Sequence, residues 1–185
     1  MKKLLFFAVA SLCFLFISPN QLEAQIGIRA GINMANVSGD VEGNETNLGF
    51  HFGIDYETMM GESMTFTPGL LYSGKGSKDD ALDVAFNTTY LEIPLDFGFA
   101  FGEAFSVKAG PYIGLLLSAD AEGVDISDAY NTLDFGLNLG LNYDVQQFTL
   151  GLGYGLGLSN IADSEFDPDS SVKNTNLMVY VVYNL

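Results

Sequence analysis

The sequence is short of the residues on which many protein functions depend. Its 185 residues include one cysteine, one histidine and no tryptophan, and only seven lysines and arginines stand against 23 aspartates and glutamates. Nucleic-acid binding needs clustered cations, so a formal net charge of −16 argues against a nucleic acid as partner. A zinc or other histidine-ligated metal site lacks ligands. The composition argues against a disordered chain, since 48% of its residues are hydrophobic and 13% are aromatic.

The first 24 residues have the pattern of a secretory signal peptide. Two lysines precede an apolar stretch at residues 4–17, and Ala24 supplies a small residue before a cleavage site. The stretch is short for a membrane-spanning helix, although an uncleaved anchor helix is the alternative interpretation. Leu12 stands where lipid attachment to Cys13 would require a small residue. We therefore predict a mature chain of residues 25–185 that contains no cysteine and no disulfide.

From Gln25 onward, large apolar residues alternate with small or polar residues, and no convincing helical periodicity is present. This period of two predicts eight β-strands. Their apolar faces lie at residues 26–34, 48–56, 64–72, 91–101, 107–117, 133–143, 148–158 and 177–185.

The connections between these strands alternate in length. Short ones are predicted at about residues 58–63, 102–104 and 145–147, and long ones at about 37–46, 75–86, 120–130 and 161–172. Bacterial outer-membrane barrels have such tight periplasmic turns and longer external loops. The sequence therefore predicts an all-β fold, an eight-stranded antiparallel up-and-down transmembrane β-barrel of the outer-membrane type, with both termini on the periplasmic side.

Periodicity alone leaves open which face points outward, so a soluble lipid-binding barrel is an alternative. The small face of the seventh strand contains four glycines. Such a row would make a poor solvated surface, but in a crowded interior it leaves space for Tyr90, Tyr112 and Tyr180. The opposite faces are rich in phenylalanine and leucine, with tyrosines near strand ends, as in a lipid belt with aromatic girdles. We therefore expect outer-membrane lipid around the barrel and insertion by the barrel-assembly machinery.

Several segments resemble the outer-membrane β-barrel domain of PorT-type, porin-family proteins of diderm bacteria. They are Pro68-Gly69-Leu70-Leu71-Tyr72-Ser73 with Lys75-Gly76, Tyr90-Leu91-Glu92-Ile93-Pro94-Leu95, Ala109-Gly110-Pro111-Tyr112-Ile113-Gly114, Asp134-Phe135-Gly136-Leu137 with Gly140, Tyr154-Gly155-Leu156 with Ser159-Asn160-Ile161, and Lys173-Asn174. The resemblance covers nearly the whole chain after residue 24. It implies an eight-stranded outer-membrane barrel, mostly of undefined activity, and transfers no catalytic residue.

Nine charged or ionisable residues fall on the predicted inward face. They are Arg29, His51, Asp55, Glu57, Glu92, Asp96, Lys108, Asp134 and Asp144. The short turn between the fourth and fifth strands makes Asp96 a diagonal neighbour of Lys108. Because buried charges are costly unless paired, we predict that Lys108 pairs with Asp96 and Arg29 with Asp55 or Glu57. A polar plug that holds the barrel closed is the simpler interpretation, and a proton or ion relay is the alternative.

No motif points to catalysis or to a cofactor. The chain has no Gly-x-Ser-x-Gly elbow, and its glycine repeats lie within a strand that no helix follows. Fourteen of the 22 acidic residues after residue 24 fall in the four long connections. The weak candidate calcium ligands are Asp163, Glu165, Asp167 and Asp169. They lack the glycine and the distal glutamate of an EF-hand, so we favour a solvated acidic rim.

These patterns predict a small integral outer-membrane protein with a structural or interaction role in the cell envelope and no enzyme activity. An envelope or surface protein is the partner class that the acidic loops suggest. Slow passage of small solutes is a competing hypothesis, although eight strands leave room for side chains and not for an open channel. A soluble lipid-binding barrel is the third.

Overall fold

The computed structural model describes residues 24–40, 43–80, 83–163 and 171–185. Within these ranges the chain forms nine strands and one short 3-10 helix, Ser127–Ala129. The strands are β1 Ala24–Gly39, β2 Asn44–Met59, β3 Met64–Asp79, β4 Val84–Phe101, β5 Phe105–Ala121, β6 Val124–Asp125, β7 Leu133–Val145, β8 Phe148–Gly157 and β9 Val172–Asn184. The predicted signal peptide, apart from Ala24, lies outside the described residues.

Eight of these strands form a closed antiparallel barrel. Each strand of the wall pairs with its neighbours along the chain, and β1 pairs with β9 to close the ring. That closing seam runs from Gly27 opposite Asn184 to Gly39 opposite Val172. Closure leaves the wall without an open sheet edge, as a strand protein surrounded by lipid requires. The predicted eight-stranded up-and-down barrel is confirmed.

The ninth strand, β6, lies outside the wall in the connection between β5 and β7. It pairs only with the end of β5, through Asp120 opposite Asp125 and Ala121 opposite Val124. Glu122 and Gly123 form the two-residue turn, with φ angles of 49° and 81°. Two successive positive φ angles are the geometry that tight β-hairpins favour.

Most large apolar residues of the wall point outward, and most polar ones point inward. Phe50, Leu139 and Val179 are 57%, 61% and 48% exposed, whereas the inward-facing Asn33 and Asp134 are fully buried. A continuous apolar outer surface around a polar interior is the arrangement of a lipid-embedded barrel. In the described residues, no helix is long and apolar enough to cross a membrane.

Two of the four predicted long connections are wrong. Strands β1 to β4 continue through most of residues 37–46 and 75–86, so that only residues 40–43 and 80–83 connect them. The inward and outward alternation persists there, with Lys75 and Ser77 both buried on the inner face, and this continued period of two supports strand pairing. The connections at residues 122–132 and 158–171 are long, as predicted.

These two long connections cross-link over one end of the barrel. Tyr130 and Ala162 form an isolated β-bridge. The Asn131 side-chain amide donates to the carbonyl oxygens of Asn160, at 3.1 Å, and Ala162, at 2.8 Å. Ile161, 1% exposed, is buried beneath these contacts. We call this the long-loop end of the barrel, and the end that carries residues 60–63, 102–104 and 146–147 the short-turn end.

Candidate functional site in the barrel interior

The inward-facing charges of the described residues form two clusters along the barrel axis. The lower cluster, toward the short-turn end, consists of Arg29, Asp55, Glu57, Asp96 and Lys108, and the upper cluster, toward the long-loop end, consists of Lys75, Glu92 and Asp134. His51 lies between them, near the middle of β2.

Arg29 and Asp55 form a buried ion pair in the lower cluster. The Arg29 Nε donates to Asp55 Oδ2 at 2.8 Å, and each side chain is only 5% exposed. The guanidinium carbon also lies 4.5 Å from the centre of the Tyr180 ring on β9. Because the pairing register puts Gly27 opposite Asp55, Arg29 is a diagonal cross-strand neighbour of that carboxylate. The structure thus brings together the predicted Arg29 and Asp55.

Lys108 does not form the predicted ion pair with Asp96. Its ammonium lies 2.6 Å from Glu57 Oε2, and it also donates to Thr67 Oγ1 at 3.1 Å. The register places Gly98 opposite Lys108, and the lysine stem lies close to that glycine. Since glycine offers no side chain to obstruct the stem, the ammonium extends across the lumen to β2 instead of turning to its diagonal neighbour.

Asp96 is a buried carboxyl group that forms no ion pair with another described side chain. It is 6% exposed, and its Oδ1 has no hydrogen-bond partner among the described residues. A void of about 10 Å³ adjoins it, lined also by Arg29, Lys108 and Asn138. That volume is enough for about one water molecule. The nearby cations offset part of the cost of burying this carboxyl group.

His51 takes part in a neutral hydrogen-bond chain. Its Nδ1 is 2.7 Å from Asn33 Oδ1, and the Asn33 amide donates to Ser73 Oγ at 3.1 Å and to the Gly74 carbonyl at 2.7 Å. Because the Asn33 oxygen can only accept, His51 Nδ1 must carry the proton. The ring packs edge-on against Tyr180, with centroids 6.0 Å apart. These contacts hold the His51 ring in place between β1 and β9, which is a structural role.

Lys75 is the interior residue that the sequence interpretation missed. Its ammonium lies 2.7 Å from Glu92 Oε2 and 3.6 Å from Asp134 Oδ2, and its side chain is 3% exposed. The Tyr112 ring centre lies 4.4 Å from the same nitrogen. Its inward position could have been predicted from the spacing, because Lys75 follows the inward-facing Leu71 and Ser73 at intervals of two residues.

Asp134 joins four parts of the barrel wall. In addition to Lys75 on β3, its carboxylate accepts hydrogen bonds from Tyr112 Oη at 3.2 Å, Ser159 Oγ at 2.8 Å and Asn174 Nδ2 at 2.9 Å. These donors come from β5, from the segment after β8 and from β9. A buried carboxylate with several donors is a satisfied charge, and here it holds distant strands together.

The short-turn end contains a cavity of about 260 Å³, which we call the vestibule. Its lining includes Arg29, Asp55, Glu57, Lys108, Asp144 and Thr149. Thr149 Oγ1 donates to Asp144 Oδ1 at 2.5 Å. Residues from β1, from β9 and from two of the short turns also line the cavity. The upper cluster fills the lumen beyond, because Tyr90 and Tyr112 there are 0% and 1% exposed.

Near the long-loop end, charged side chains outside the barrel interior are exposed to solvent. Lys78 forms an exposed ion pair with Asp83, and this contact lowers the pKa of the Asp83 carboxyl group. Hydrogen bonds from the Ser127 side chain and backbone hold the pKa of Asp125 below its usual value. Both carboxyl groups therefore remain charged at neutral pH.

The described residues contain no group of three or more histidine, cysteine, aspartate or glutamate side chains placed to hold a metal ion. Of the weak calcium candidates, Asp163 follows the bridge at Ala162, and Glu165, Asp167 and Asp169 lie outside the described residues. The calcium site therefore stays a prediction.

Comparison with known proteins agrees with this geometry. Residues 18–163 match the family described as outer membrane protein beta-barrel domain. The chain belongs to this family. It is an outer-membrane β-barrel protein, and the soluble lipid-binding alternative has no support. No curated protein matches the chain.

Solved structures show the same fold at low sequence identity. Neisserial surface protein A (NspA) has a TM-score of 0.59 and 16% identity to this outer-membrane barrel, over 86% of this chain and 97% of NspA. Ail of Yersinia pestis, crystallised with the heparin analogue sucrose octasulfate, has a TM-score of 0.52 and 16% identity, over 88% of this chain and 99% of Ail. At such identity the likeness establishes the barrel architecture alone.

Proposed function

We propose that this protein is a closed, non-conducting outer-membrane barrel with a structural or interaction role in the cell envelope and no catalytic activity. The observation that carries the proposal is the filled lumen at the upper cluster, where Tyr90, Tyr112 and Asp134 are essentially inaccessible to solvent. An eight-stranded barrel has little interior space, and these side chains occupy it. Passage of a solute would require the Lys75 ion pairs to break.

Planar-bilayer conductance of the refolded barrel tests this proposal. We expect no sustained open-channel current from the natural sequence. A Tyr90→Ala, Tyr112→Ala double variant is the matched control, since it removes the two largest side chains from the lumen and should raise the current if the barrel still folds. Sustained current through the unaltered barrel would instead support the competing hypothesis of slow solute passage.

The interaction role rests on the charge of the exposed connections. Asp80, Asp83, Glu122, Asp125 and Asp128 carry negative charge at or beyond the strand ends of the long-loop side. A surface of this sign suits a basic partner on an envelope or surface protein. It does not suit a sulfated ligand such as sucrose octasulfate, the heparin analogue bound in the Ail structure. We therefore propose a protein partner that presents lysine or arginine.

Three further proposals concern the export of the protein, its insertion into the outer membrane and its place within the family. We propose export through a signal peptide cleaved after Ala24, which would leave Gln25 to start the mature chain, with residues 25–185 as the barrel domain. We also propose insertion by the barrel-assembly machinery, since the chain forms a closed outer-membrane barrel. The motifs around Tyr90 and Tyr112 support placement within the PorT-type branch. Mass spectrometry of the purified protein would test the cleavage site directly.

A further inference from the structure

Gln25 lies at the exposed start of β1, at the short-turn end of the barrel. The residue is exposed to solvent and contributes to the lining of the vestibule. Its side-chain amide takes part in none of the side-chain hydrogen bonds that join the described residues. No packed neighbour or hydrogen bond among the described residues therefore holds this amide in place.

The proposed cleavage after Ala24 would give Gln25 a reactive partner within the same residue. It would leave an α-amine on Gln25, and the lone pair of that amine can attack the side-chain carboxamide carbon, Cδ. A bond forms between the α-nitrogen and Cδ, and the bond from Cδ to Nε2 breaks. One amine proton leaves with Nε2 as ammonia. The product is a five-membered lactam, and the reaction consumes no oxidant, reductant or second substrate.

We propose that Gln25 is a modification site, at which the mature chain begins with pyroglutamate. The inference rests on the proposed cleavage after Ala24 and goes beyond the structural or interaction role of the barrel. Ring closure uses only atoms of Gln25, which is exposed, so that no strand of the wall has to move. Glutamine is the residue type that this chemistry requires, because asparagine would form a strained four-membered ring and glutamate has no amide to expel.

The lactam changes the charge beside the lower cluster. The β1–β2 register places Gln25 opposite Glu57, and Glu57 holds the Lys108 ammonium at 2.6 Å. Residues directly opposite each other in an antiparallel pair lie about 4.5–5.5 Å apart between their Cα atoms. A charged α-amine on Gln25 would therefore be a second cation beside Glu57. The lactam nitrogen is neutral, so its formation leaves Glu57 to Lys108.

The lactam also protects the closing seam of the barrel. Aminopeptidases require an α-amine, and pyroglutamate has none. The next residue, Ile26, accepts a hydrogen bond at its carbonyl oxygen from the Leu185 backbone nitrogen, 2.9 Å away. Removal of residues from the start of β1 would take away this contact between the two terminal strands. A blocked first residue therefore preserves the seam.

The experiment is mass spectrometry of the full mature chain extracted in detergent from outer membranes. Amines are first dimethylated with formaldehyde and cyanoborohydride, and trypsin then releases residues 25–29. A dimethylated amine cannot close the ring, so labelling before digestion prevents lactam formation during sample handling from being counted. We expect an unlabelled peptide that is lighter than the unmodified sequence by one ammonia molecule. A dimethylated peptide that begins at Gln25 would overturn the modification and leave the cleavage site intact. A first residue other than Gln25 would contradict both proposals.

Two variants make the test specific. Gln25→Glu should give a dimethylated first residue, because its side chain has no ammonia to expel. Gln147→Glu is the matched control, since it changes an exposed glutamine in the β7–β8 turn and should leave the lactam at residue 25 unchanged. If Gln25→Glu alters signal-peptide cleavage, Gln25→Asn provides a second variant and should also be dimethylated. A lactam in the Gln25→Glu protein at the level of the natural sequence would contradict the proposed reaction.

Discussion

Lys75 and Lys78 are three residues apart on β3, yet they have opposite environments. Alternation along the strand points Lys75 into the lumen, where its side chain is 3% exposed, and Lys78 toward solvent, where it is 38% exposed. Lys75 is paired with two buried carboxylates, Glu92 and Asp134. Lys78 pairs with Asp83, which is 83% exposed. Water screens the second pair and not the first.

This difference predicts unequal effects of the same substitution. Lys75→Met should lower the free energy of unfolding by about 3–5 kcal/mol, because it leaves two buried carboxylates without their cation. Lys78→Met is the matched control and should cause no measurable change. Urea unfolding of both variants in lipid bilayers would provide the comparison. Equal stability of the two variants would show that the upper cluster does not hold the barrel together.

The sequence predicted which charged residues face the lumen, but it predicted only some of their ion-pair partners. The inward positions of Arg29, Asp55 and Asp96 follow from a period of two, and the cross-strand register brings Arg29 to Asp55. The register alone could not choose the partner of Lys108. A lysine side chain is long and flexible, so the space above Gly98 and the position of Glu57 across the lumen decide where its ammonium lies.

At the scale of the elements, a side chain of β9 occupies the space beside a glycine of β8. A Cβ atom at Gly151 would overlap the Tyr180 ring. That ring is held by a 2.7 Å hydrogen bond from its hydroxyl group to Asn142 Oδ1 and by the Arg29 guanidinium. At Gly140 on β7, the nearest atom to a Cβ would be the Tyr180 hydroxyl oxygen at 3.4 Å, which is close to ordinary contact. Gly151 thus provides space for one particular ring, that of Tyr180.

We therefore expect Gly151→Ala to destabilise the barrel by roughly 1–3 kcal/mol, the usual cost of overpacking an interior. Gly140→Ala is the control and should have a much smaller effect. In a Tyr180→Leu background, Gly151→Ala should become nearly neutral, because the ring that it would strike is gone. Denaturant unfolding of the single and double variants measures this coupling. An additive result would mean that Gly151 is required for another reason.

The lengths of the connections were the least predictable property of the elements. Residues 75–79 contain two lysines, a glycine and a serine, a composition typical of a loop, yet they continue β3. They pair with residues 84–88 of β4, so the hairpin extends beyond its apolar runs. Strand formation depends on such cross-strand contacts, and composition carries little information about them. The short turns at 102–104 and 146–147 were easier to predict from the sequence, because each is a break between two strong apolar runs.

The whole molecule places most of its cations inside the barrel, together with carboxylates that pair with them. Three of the five cations after residue 24, Arg29, Lys75 and Lys108, lie inside the barrel and are paired there. The outer surface therefore keeps most of the acidic residues with few cations to balance them. Such a surface should be repelled by anionic molecules and attracted to basic ones.

The orientation of this charged surface can be tested on intact cells, because Cys13 is the only cysteine and lies in the predicted signal peptide. Asp128→Cys, in the connection before β7, should react with a membrane-impermeant maleimide added outside. Glu103→Cys, in the turn between β4 and β5, should react only after the outer membrane is disrupted. The reverse labelling pattern would place the short turns outside. Labelling in a Cys13→Ser background removes any contribution from residual precursor.

The sequence by itself determined the number of barrel strands, the direction of their faces and the polar character of the interior, because each follows from a period of two and from which residues tolerate lipid. Only the tertiary structure decided which interior charges pair, that Lys75 belongs to them, and that a vestibule remains at one end. Those properties depend on how far each flexible side chain reaches across a lumen formed by eight strands that are distant in sequence. Alternation encodes the side of a strand on which a residue lies, and the closed ring determines what it meets there.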